Sequence, residues 1–193
     1  MKKKVATLNE TLPTKALPDW PTLGSGEPHD FNVFSVQRVD RRSPRTGRVG
    51  SYRVIHAPDW VNVVALTSDR NLVLVEQYRH GLDRVTLEVP GGMVDPGESS
   101  ADAAARELAE ETGYVGSAPE PIGLVHPNPA IQTNRCTSWL IEDARHEHEP
   151  RPDEGEHIQV VEVPLRDIEE HVRRGAITHS LVICAFYWLR LHG

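Results

Sequence analysis

The 193-residue sequence has few of the features that mark secreted, membrane or disulfide-bonded proteins. It contains only two cysteines, Cys136 and Cys184, which are far apart and form no Cys-x-x-Cys motif. This spacing indicates reduced thiols rather than a disulfide framework. No apolar run reaches the ~18 residues that are needed to cross a bilayer. The basic start, Met1 to Lys4, is followed by polar residues and not by the apolar core of a signal peptide, so we expect a cytoplasmic location.

The motifs of several common catalytic and binding classes are also missing. There is no Gly-x-x-x-x-Gly-Lys-Ser/Thr phosphate loop and no usable Gly-x-Gly-x-x-Gly fingerprint. No Ser/His/Asp or Cys/His arrangement for nucleophilic catalysis is identifiable. The net charge of -7 argues against general nucleic-acid binding. An acidic protein of this kind still binds a small anion where arginine, lysine and metal are focused at one site.

The strand and helix patterns predict an α/β protein with two parts. Residues 1–57 contain a proline- and glycine-rich irregular arm, up to about residue 29, and then the alternating pattern of a β-hairpin from Phe31 to His56. In residues 58–193, β-branched strand patterns alternate with helical patterns, and an apolar helix closes the chain. We therefore predict an α/β sandwich for this larger part.

The segment from Gly92 to Tyr114, GMVDPGESSADAAARELAEETGY, carries the most informative pattern in the chain. Ser99 or Ser100 is suited to cap the start of a helix, and Gly113 is suited to end it. We therefore predict a helix from about residue 101 to residue 112.

The glutamates of this helix share one edge. Glu107, Glu110 and Glu111 fall within an arc of roughly 100°. Carboxylates this close repel each other by roughly 0.2–0.5 kcal/mol for each exposed pair, and a divalent metal removes that repulsion. Carboxylate oxygens suit hard cations such as Mg2+ or Mn2+. The residues predicted to form an apolar stripe beside this edge are Ala101, Ala104, Ala105 and Leu108.

The loop before the helix supports the metal interpretation. It brings glycine carbonyl groups and a further carboxylate, Glu98, towards the same edge. Arg106 is spaced to pair with Glu110 at i,i+4 or to reach back and hold Glu98. A solvated, glutamate-rich helix face is the alternative for the helix alone, but the loop and helix together favour a metal site.

The same segment reads G-x5-E-x7-R-E-L-x-E-E-x-G-Y, and it resembles the Nudix box of the nucleoside-diphosphate-X hydrolases. Only the last position departs, because the family usually has an aliphatic residue where this chain has Tyr114. The likeness runs from about Phe31 to His192 and is greatest to the branch of ADP-ribose pyrophosphatases and related nucleoside-diphosphate-sugar hydrolases.

Four further segments carry the resemblance to that branch. Glu76 to Arg79 matches its QYR segment, and Glu88 to Gly92 resembles its E-x-P-A-G segment, with Gly91 in place of the usual alanine. Pro129 lies at the position of a proline associated with the branch, although NPAIQTNR departs from the common S-P-G sequence. Residues 153–156, Asp-Glu-Gly-Glu, resemble the acidic loop that supplies the proposed catalytic base.

The resemblance implies a Nudix α/β/α sandwich with a mixed sheet and a small N-terminal antiparallel β module. It implies metal-dependent hydrolysis of a nucleoside-diphosphate sugar, ADP-ribose or similar, to a nucleoside monophosphate and a sugar phosphate, with Mg2+ or Mn2+ as cofactor. One alternative is a Nudix hydrolase of another nucleotide, such as GDP-mannose or a dinucleoside polyphosphate. The other is a non-catalytic ADP-ribose-binding sensor, against which the intact acidic set argues.

The resemblance also assigns roles to individual residues. In the catalytic role, Glu154 would activate water, with Glu110 and Arg106 assisting. The metal ligands would be the Gly91 carbonyl, Glu107, Glu111, Glu156 and Glu98. The predicted substrate-binding residues are Arg79, Met93, Asn128, Asn134, Arg135 and Arg53.

We expect residues 1–57 to mediate a homodimer. A two-stranded hairpin is marginal alone in water, yet this one carries the apolar side chains of Phe31, Val33, Val36 and Val54. A second subunit offers a surface to cover them, as the family resemblance also implies. The expected partners are therefore a nucleotide-sugar substrate and a second copy of the chain, and neither nucleic acid nor a membrane.

Overall fold

The computed structural model describes residues 17–152, 155 and 157–193, and the chain divides into two units. The first unit runs up to Pro58 and includes His126–Asn134, and the second comprises Asp59–Val125 and Arg135–Gly193. Two predicted site residues, Glu154 and Glu156, lie outside the described residues. Within the described ranges, no helix is long and apolar enough to cross a membrane.

The first unit is built on an antiparallel sheet of four strands. Its strands are β1 (Thr22–Ser25), β2 (His29–Asp30), β3 (Ser35–Arg42) and β4 (Val49–His56). The predicted hairpin is present as β3 and β4, which pair along their whole length. The expectation of only two strands is wrong, because β1 pairs with the second half of β3 and β2 with its start. The sequence did not predict β1 and β2, because they are short and lie in a segment whose prolines and glycines are typical of irregular structure.

The second unit is organised around a mixed sheet of six strands. The strands of this unit, in the six-stranded sheet and outside it, are β5 (Trp60–Leu66), β6 (Asn71–Arg79), β7 (Arg84–Glu88), β8 (Tyr114–Val115), β9 (Glu120–Val125), β10 (Cys136–Ile141), β11 (Arg145–His146) and β12 (Ile158–Pro164). The sheet order is β12-β6-β5-β10-β9, and β7 also pairs with β6. Strands β5 and β10 are parallel, and the other pairs are antiparallel. Strands β8 and β11 form a separate two-stranded sheet.

Helices cover both faces of this sheet. They are α1 (Ser100–Thr112), α2 (Ile168–Arg173), which follows a 3-10 turn at Leu165–Asp167, and α3 (Ser180–His192). Alternate residues of β5 point to opposite faces, so Val63 packs in the α1 layer and Val64 in the α3 layer. Both valines are fully buried, which stabilises the fold by about 1.5–3 kcal/mol each. The α/β/α sandwich predicted for the larger part of the chain is confirmed.

The buried face of α1 differs from the predicted apolar stripe. Ala104 and Leu108 are buried as expected, but Ala105 is exposed, and Glu111 and Thr112 are buried instead. The face is therefore rotated towards the acidic edge of the helix. The rotation is possible because the Glu111 carboxylate has a hydrogen-bond partner in the glycine loop, so it tolerates burial.

Both predicted ends of α1 are confirmed. The Ser99 hydroxyl accepts a hydrogen bond from the Asp102 amide at 3.1 Å and caps the first turn. Gly113 ends the helix in the left-handed conformation, with φ of 74°. Backbone amides of the segment after β11 bind carbonyl groups at the helix end, from Glu147 to Gly113 at 2.9 Å and from Arg151 to Glu110 at 2.6 Å.

Replacing Gly113 with alanine is expected to destabilise the protein by at least about 2 kcal/mol. A Cβ atom there would lie 1.8 Å from the carbonyl oxygen of His148, in addition to the strain of a positive φ. The free energy of unfolding in urea measures the effect. Gly97→Ala is the matched control, because Gly97 also has a positive φ of 86° but has no heavy atom within 4 Å of an added Cβ. Equal losses in the two variants would show that the contact with His148 contributes nothing.

Candidate active site

A cavity of about 660 Å3 opens in the second unit, between the start of β5, the loop after β7, one edge of α1 and the start of α3. Its size is that of a pocket for a small-molecule ligand. Many of the residues predicted for the site meet at its wall. These are Arg79, Gly91, Met93, Arg106, Glu107, Glu110 and Glu111.

The glycine loop forms one side of the cavity by lying against β5. The carbonyl groups of Pro90 and Gly92 accept hydrogen bonds from the amides of Val63 and Val61, at 2.8 and 2.9 Å. A Cβ atom on Gly91 would lie 2.2 Å from the Val61 carbonyl oxygen, and one on Gly92 would lie 2.4 Å from a Glu107 carboxylate oxygen. The two glycines therefore allow the loop to approach both the sheet and the acidic helix.

Glu111 is the most buried of the acidic residues on α1, with 3% of its surface exposed. Its Oε2 atom accepts a hydrogen bond from the Gly91 amide at 3.1 Å. The side chain of Glu107 is 14% exposed and that of Glu110 is 46% exposed. Exposure along the acidic edge therefore increases from Glu111, whose carboxylate is buried and bonded to the loop, to Glu110, which faces solvent.

Arg106 joins the loop to the acidic edge. Its Nε and Nη2 atoms donate to the two carboxylate oxygens of Glu98 at 2.9 and 3.0 Å, and Nη1 donates to both Glu107 and Glu110 at 3.0 Å. Nη2 also donates to the Met93 carbonyl at 3.0 Å. The two pairings that the sequence left open, with Glu98 or with Glu110, therefore occur together.

These contacts shift the pKa values of both partners. The hydrogen bond from Arg106 lowers the pKa of Glu98 below its ordinary value, although burial opposes it. The bond to Glu98, with further contributions from Glu110 and Glu107, raises the pKa of Arg106, although partial burial opposes it. Glu98 and Arg106 therefore form an ionised pair at neutral pH.

The donor set of the acidic edge fits a hard divalent cation. Carboxylate oxygens of Glu107 and Glu111 and the carbonyl of Gly91 are the ligand types that Mg2+ takes, with water completing the shell. Among the described residues, no group of three or more His, Cys, Asp or Glu side chains has the arrangement of a metal site. The Arg106 guanidinium offsets part of the carboxylate repulsion that the sequence argument assigned to metal alone.

A second charged cluster, which the sequence analysis did not predict, lies in the same cavity. Glu88, at the end of β7, is 2% exposed and forms a two-point pair with Arg79, Nε to Oε1 at 3.0 Å and Nη2 to Oε2 at 2.9 Å. The Thr86 hydroxyl donates to Oε1 at 2.5 Å, and His179 Nδ1 lies 3.2 Å from Oε2. Burial raises the pKa of Glu88, but His179, Arg79 and Thr86 together bring it well below its ordinary value. The sequence signal was weak, because Glu88 stood out only as part of a motif and His179 lies far away in the chain.

Arg135 is not among the residues that line the cavity. Its guanidinium donates to the Asp59 carboxylate from Nε at 3.1 Å and from Nη2 at 2.8 Å, and its amide binds the other oxygen of Asp59 at 2.9 Å. The substrate-binding role of Arg135 stays a prediction.

Three further predicted substrate-binding residues belong to the first unit. Arg53 is exposed on β4, and the carbonyl of Asn128 accepts hydrogen bonds in a turn that contains Ile131 and Gln132. Asn134 is 2% exposed, and its side-chain amide has no hydrogen-bond partner within the described part of the chain. Their roles in binding also stay predictions.

Comparison with known proteins agrees with the family resemblance of the sequence. The family model described as "NUDIX domain" matches residues 58–185. The ADP-ribose pyrophosphatase of Bacillus subtilis is 30% identical over 168 residues, which cover 86% of this chain and 88% of that protein. The ADP-sugar pyrophosphatase of Mus musculus is 35% identical over 104 residues, 50% of this chain and 47% of that protein. The resemblance found in the sequence is confirmed.

A solved structure agrees in fold. The crystal structure of an ADP compounds hydrolase superposes with a TM-score of 0.81, covers 92% of this chain and 96% of that chain, and is 24% identical in sequence. At that identity the likeness bears on the fold, and it confirms the predicted fold class.

Proposed function

This chain belongs to the Nudix family of pyrophosphohydrolases, and we propose that it hydrolyses ADP-ribose or a similar nucleoside-diphosphate sugar in a metal-dependent reaction. The products would be a nucleoside monophosphate and a sugar phosphate. Water would attack phosphorus directly, without a covalent intermediate. A cytoplasmic location, expected from the sequence, is part of the proposal.

The observation that carries the proposal is that one cavity contains both an acidic edge and an arginine. Glu107 and Glu111 supply carboxylates beside the glycine loop, and Arg79 supplies a guanidinium in the same 660 Å3 space. The negatively charged oxygens of a diphosphate need positively charged partners, and guanidinium groups and divalent cations both provide them. The names of the B. subtilis and mouse relatives support an ADP-sugar substrate.

Glu107, Glu111 and the Gly91 carbonyl would hold Mg2+, which when bound neutralises the diphosphate and lowers the pKa of a bound water. Arg106 orients the carboxylates of Glu98, Glu107 and Glu110. Arg79 binds the diphosphate. Glu154, by the family resemblance, takes the proton from the attacking water.

A substrate panel tests the proposal. We expect release of phosphate from ADP-ribose after phosphatase treatment of the products, only when Mg2+ or Mn2+ is present. Preferential turnover of GDP-mannose or a dinucleoside polyphosphate would assign the other Nudix activity. Binding of ADP-ribose without turnover of any substrate, with saturating metal, would identify a sensor and overturn the hydrolase proposal.

We propose that the protein is a homodimer in which the first unit takes part in the interface. Its sheet has four strands rather than two, yet Phe31 and Val33 remain 54% and 55% exposed, and Trp20 is 44% exposed. Phe31 also stacks on Phe34, which is 37% exposed, and an exposed apolar pair of this kind favours a protein contact. Sedimentation at micromolar concentration is expected to give a dimer, and a single species near 21.6 kDa would contradict it. If deletion of the residues before Val61 leaves the Michaelis constant of the dimer unchanged, the first unit takes no part in substrate binding.

A further inference from the structure

The buried carboxylate of Glu88 is surrounded by hydrogen-bond donors from separate parts of the chain. Arg79 comes from the end of β6, Thr86 from β7, and His179 from the residue before α3. A carboxylate that is only 2% exposed is tolerated because its oxygens are paired. The position of each donor therefore affects the position of the others through Glu88.

His179 occupies a place in the fold that usually serves another purpose. It is the N-cap residue of α3, where Ser, Thr, Asp or Asn side chains normally bind the first amides of the helix. The His179 side chain makes no capping hydrogen bond. Its Nδ1 atom lies 3.2 Å from Glu88 Oε2, which is an ion-pair distance, although this contact lacks the geometry of a hydrogen bond. The residue at this cap is therefore directed to the cavity rather than to its own helix.

The start of α3 is itself bonded to β5, whose first residues line the cavity. The side-chain amide of Asn62, a buried residue of β5, donates to the carbonyl of Leu181 at 3.0 Å. This bond ties the first turn of α3 to the central sheet, close to His179. The bond therefore restrains the backbone that carries His179.

The pair with Glu88 determines how Arg79 meets a ligand. Glu88 occupies the Nε and Nη2 edge of the guanidinium, so an anion in the cavity does not form its two-point contact with that edge. The planar fork of an arginine takes its orientation from such a two-point contact. The Arg79 side chain is 42% exposed, and the two-point pair with Glu88 restricts its orientation.

We infer that His179 is a positioning residue of the active site, which holds Glu88 so that Glu88 presents the Arg79 guanidinium to the diphosphate of the substrate. This inference rests on the proposed function, since it names Arg79 as the diphosphate ligand. His179 acts through Glu88 and Arg79 and takes no part in bond breaking.

The kinetic test compares His179→Ala with His179→Asn. Alanine removes the donor, whereas the asparagine amide nitrogen reaches the place of Nδ1 and keeps an N–H. We expect His179→Ala to raise KM by about 10-fold with little change in kcat, because diphosphate binding is lost equally in the ground and transition states. His179→Asn is expected to recover most of the loss. A purely structural role in capping α3 would leave KM unchanged.

A double-mutant cycle tests whether His179 acts through Arg79. In an Arg79→Gln background, His179→Ala is expected to cause no further rise in KM, because the guanidinium that it positions is gone. An equal rise in both backgrounds would overturn the inference. If His179→Ala does not fold, Thr86→Val removes another donor to Glu88 and is expected to raise KM in the same way.

A readout without substrate separates this inference from the proposed function. The Nε–H signal of Arg79 in 15N NMR of the free protein is expected to broaden or shift in His179→Ala and to return in His179→Asn. An unchanged signal in His179→Ala would refute the positioning role even if the enzyme is active. Absence of turnover in the wild type would instead refute the proposed function, while the NMR result still decides the positioning role.

Discussion

Replacing Glu111 with glutamine is expected to keep the fold and to lower kcat by at least ~100-fold at saturating Mg2+. Glu111 is 3% exposed, and its Oε2 atom accepts a hydrogen bond from the Gly91 amide at 3.1 Å. Glutamine has the same volume, and its carbonyl oxygen still accepts that bond. The substitution therefore removes the negative charge that the proposed metal requires and changes little else.

Two measurements distinguish this effect from a loss of structure. The free energy of unfolding in urea should stay within about 1 kcal/mol of the wild type, because the bond to Gly91 is kept. Glu169→Gln serves as the matched control, since it removes the same charge from an exposed glutamate on α2, which does not line the cavity. Its activity should equal that of the wild type. If Glu111→Gln keeps activity within a few-fold of the wild type, Glu111 is not a metal ligand.

Local patterns were sufficient to predict the helix α1. Ser99 and Gly113 marked its two ends, because capping depends on residues adjacent in sequence. The spacing of Glu107 and Glu111 placed them on one edge for the same reason. The strands of the central sheet followed from their β-branched residues, whose apolar side chains fill both faces of a covered sheet.

Contacts between distant parts of the chain were not predictable in this way. The burial of Glu111 depends on the amide of Gly91, and the helix face could not be known until the loop was placed against β5. The pairing of Arg135 with Asp59, and the approach of His179 to Glu88, likewise join segments whose relation only the sheet topology defines. These are side-chain pairs for which a single sequence holds no periodic signal.

Arg106 is the second residue whose replacement should have a large effect on kcat, because it contacts several groups of the acidic edge. It contacts Glu98, Glu107, Glu110 and the carbonyl of Met93 at once, from three nitrogen atoms of one planar group. Arg106→Gln is expected to lower kcat by about 100-fold or more, since the carboxylates that it orients lose their common partner. Arg106→Lys keeps the charge, but a single ammonium group cannot reproduce the fork, so we expect a loss of about 10-fold or more.

The same substitution predicts a pH-dependent loss of stability. The pKa of Glu98 is lowered in the folded protein from its ordinary value of 4.5, chiefly by the hydrogen bond with Arg106. A carboxylate with a lowered pKa stabilises the folded state above its unfolded pKa, and this contribution is lost as the pH falls through the folded value. Arg106→Gln should therefore be less stable than the wild type by about 1–3 kcal/mol at pH 7, with the difference shrinking below about pH 4.5.

Unfolding in urea across pH 3 to 7, together with kcat at pH 7, tests both parts of this expectation. Arg190→Gln is the matched control, because Arg190 is an exposed arginine that forms an ion pair with Glu169 at 3.2 Å. Exposed pairs of this kind contribute roughly 0–1 kcal/mol, so the control should change neither stability nor activity appreciably. Full activity in Arg106→Lys would show that charge suffices and that the fork geometry is irrelevant. A stability loss in Arg106→Gln that is the same at pH 3 and pH 7 would mean that Arg106 stabilises the protein by packing rather than by its ionised partners.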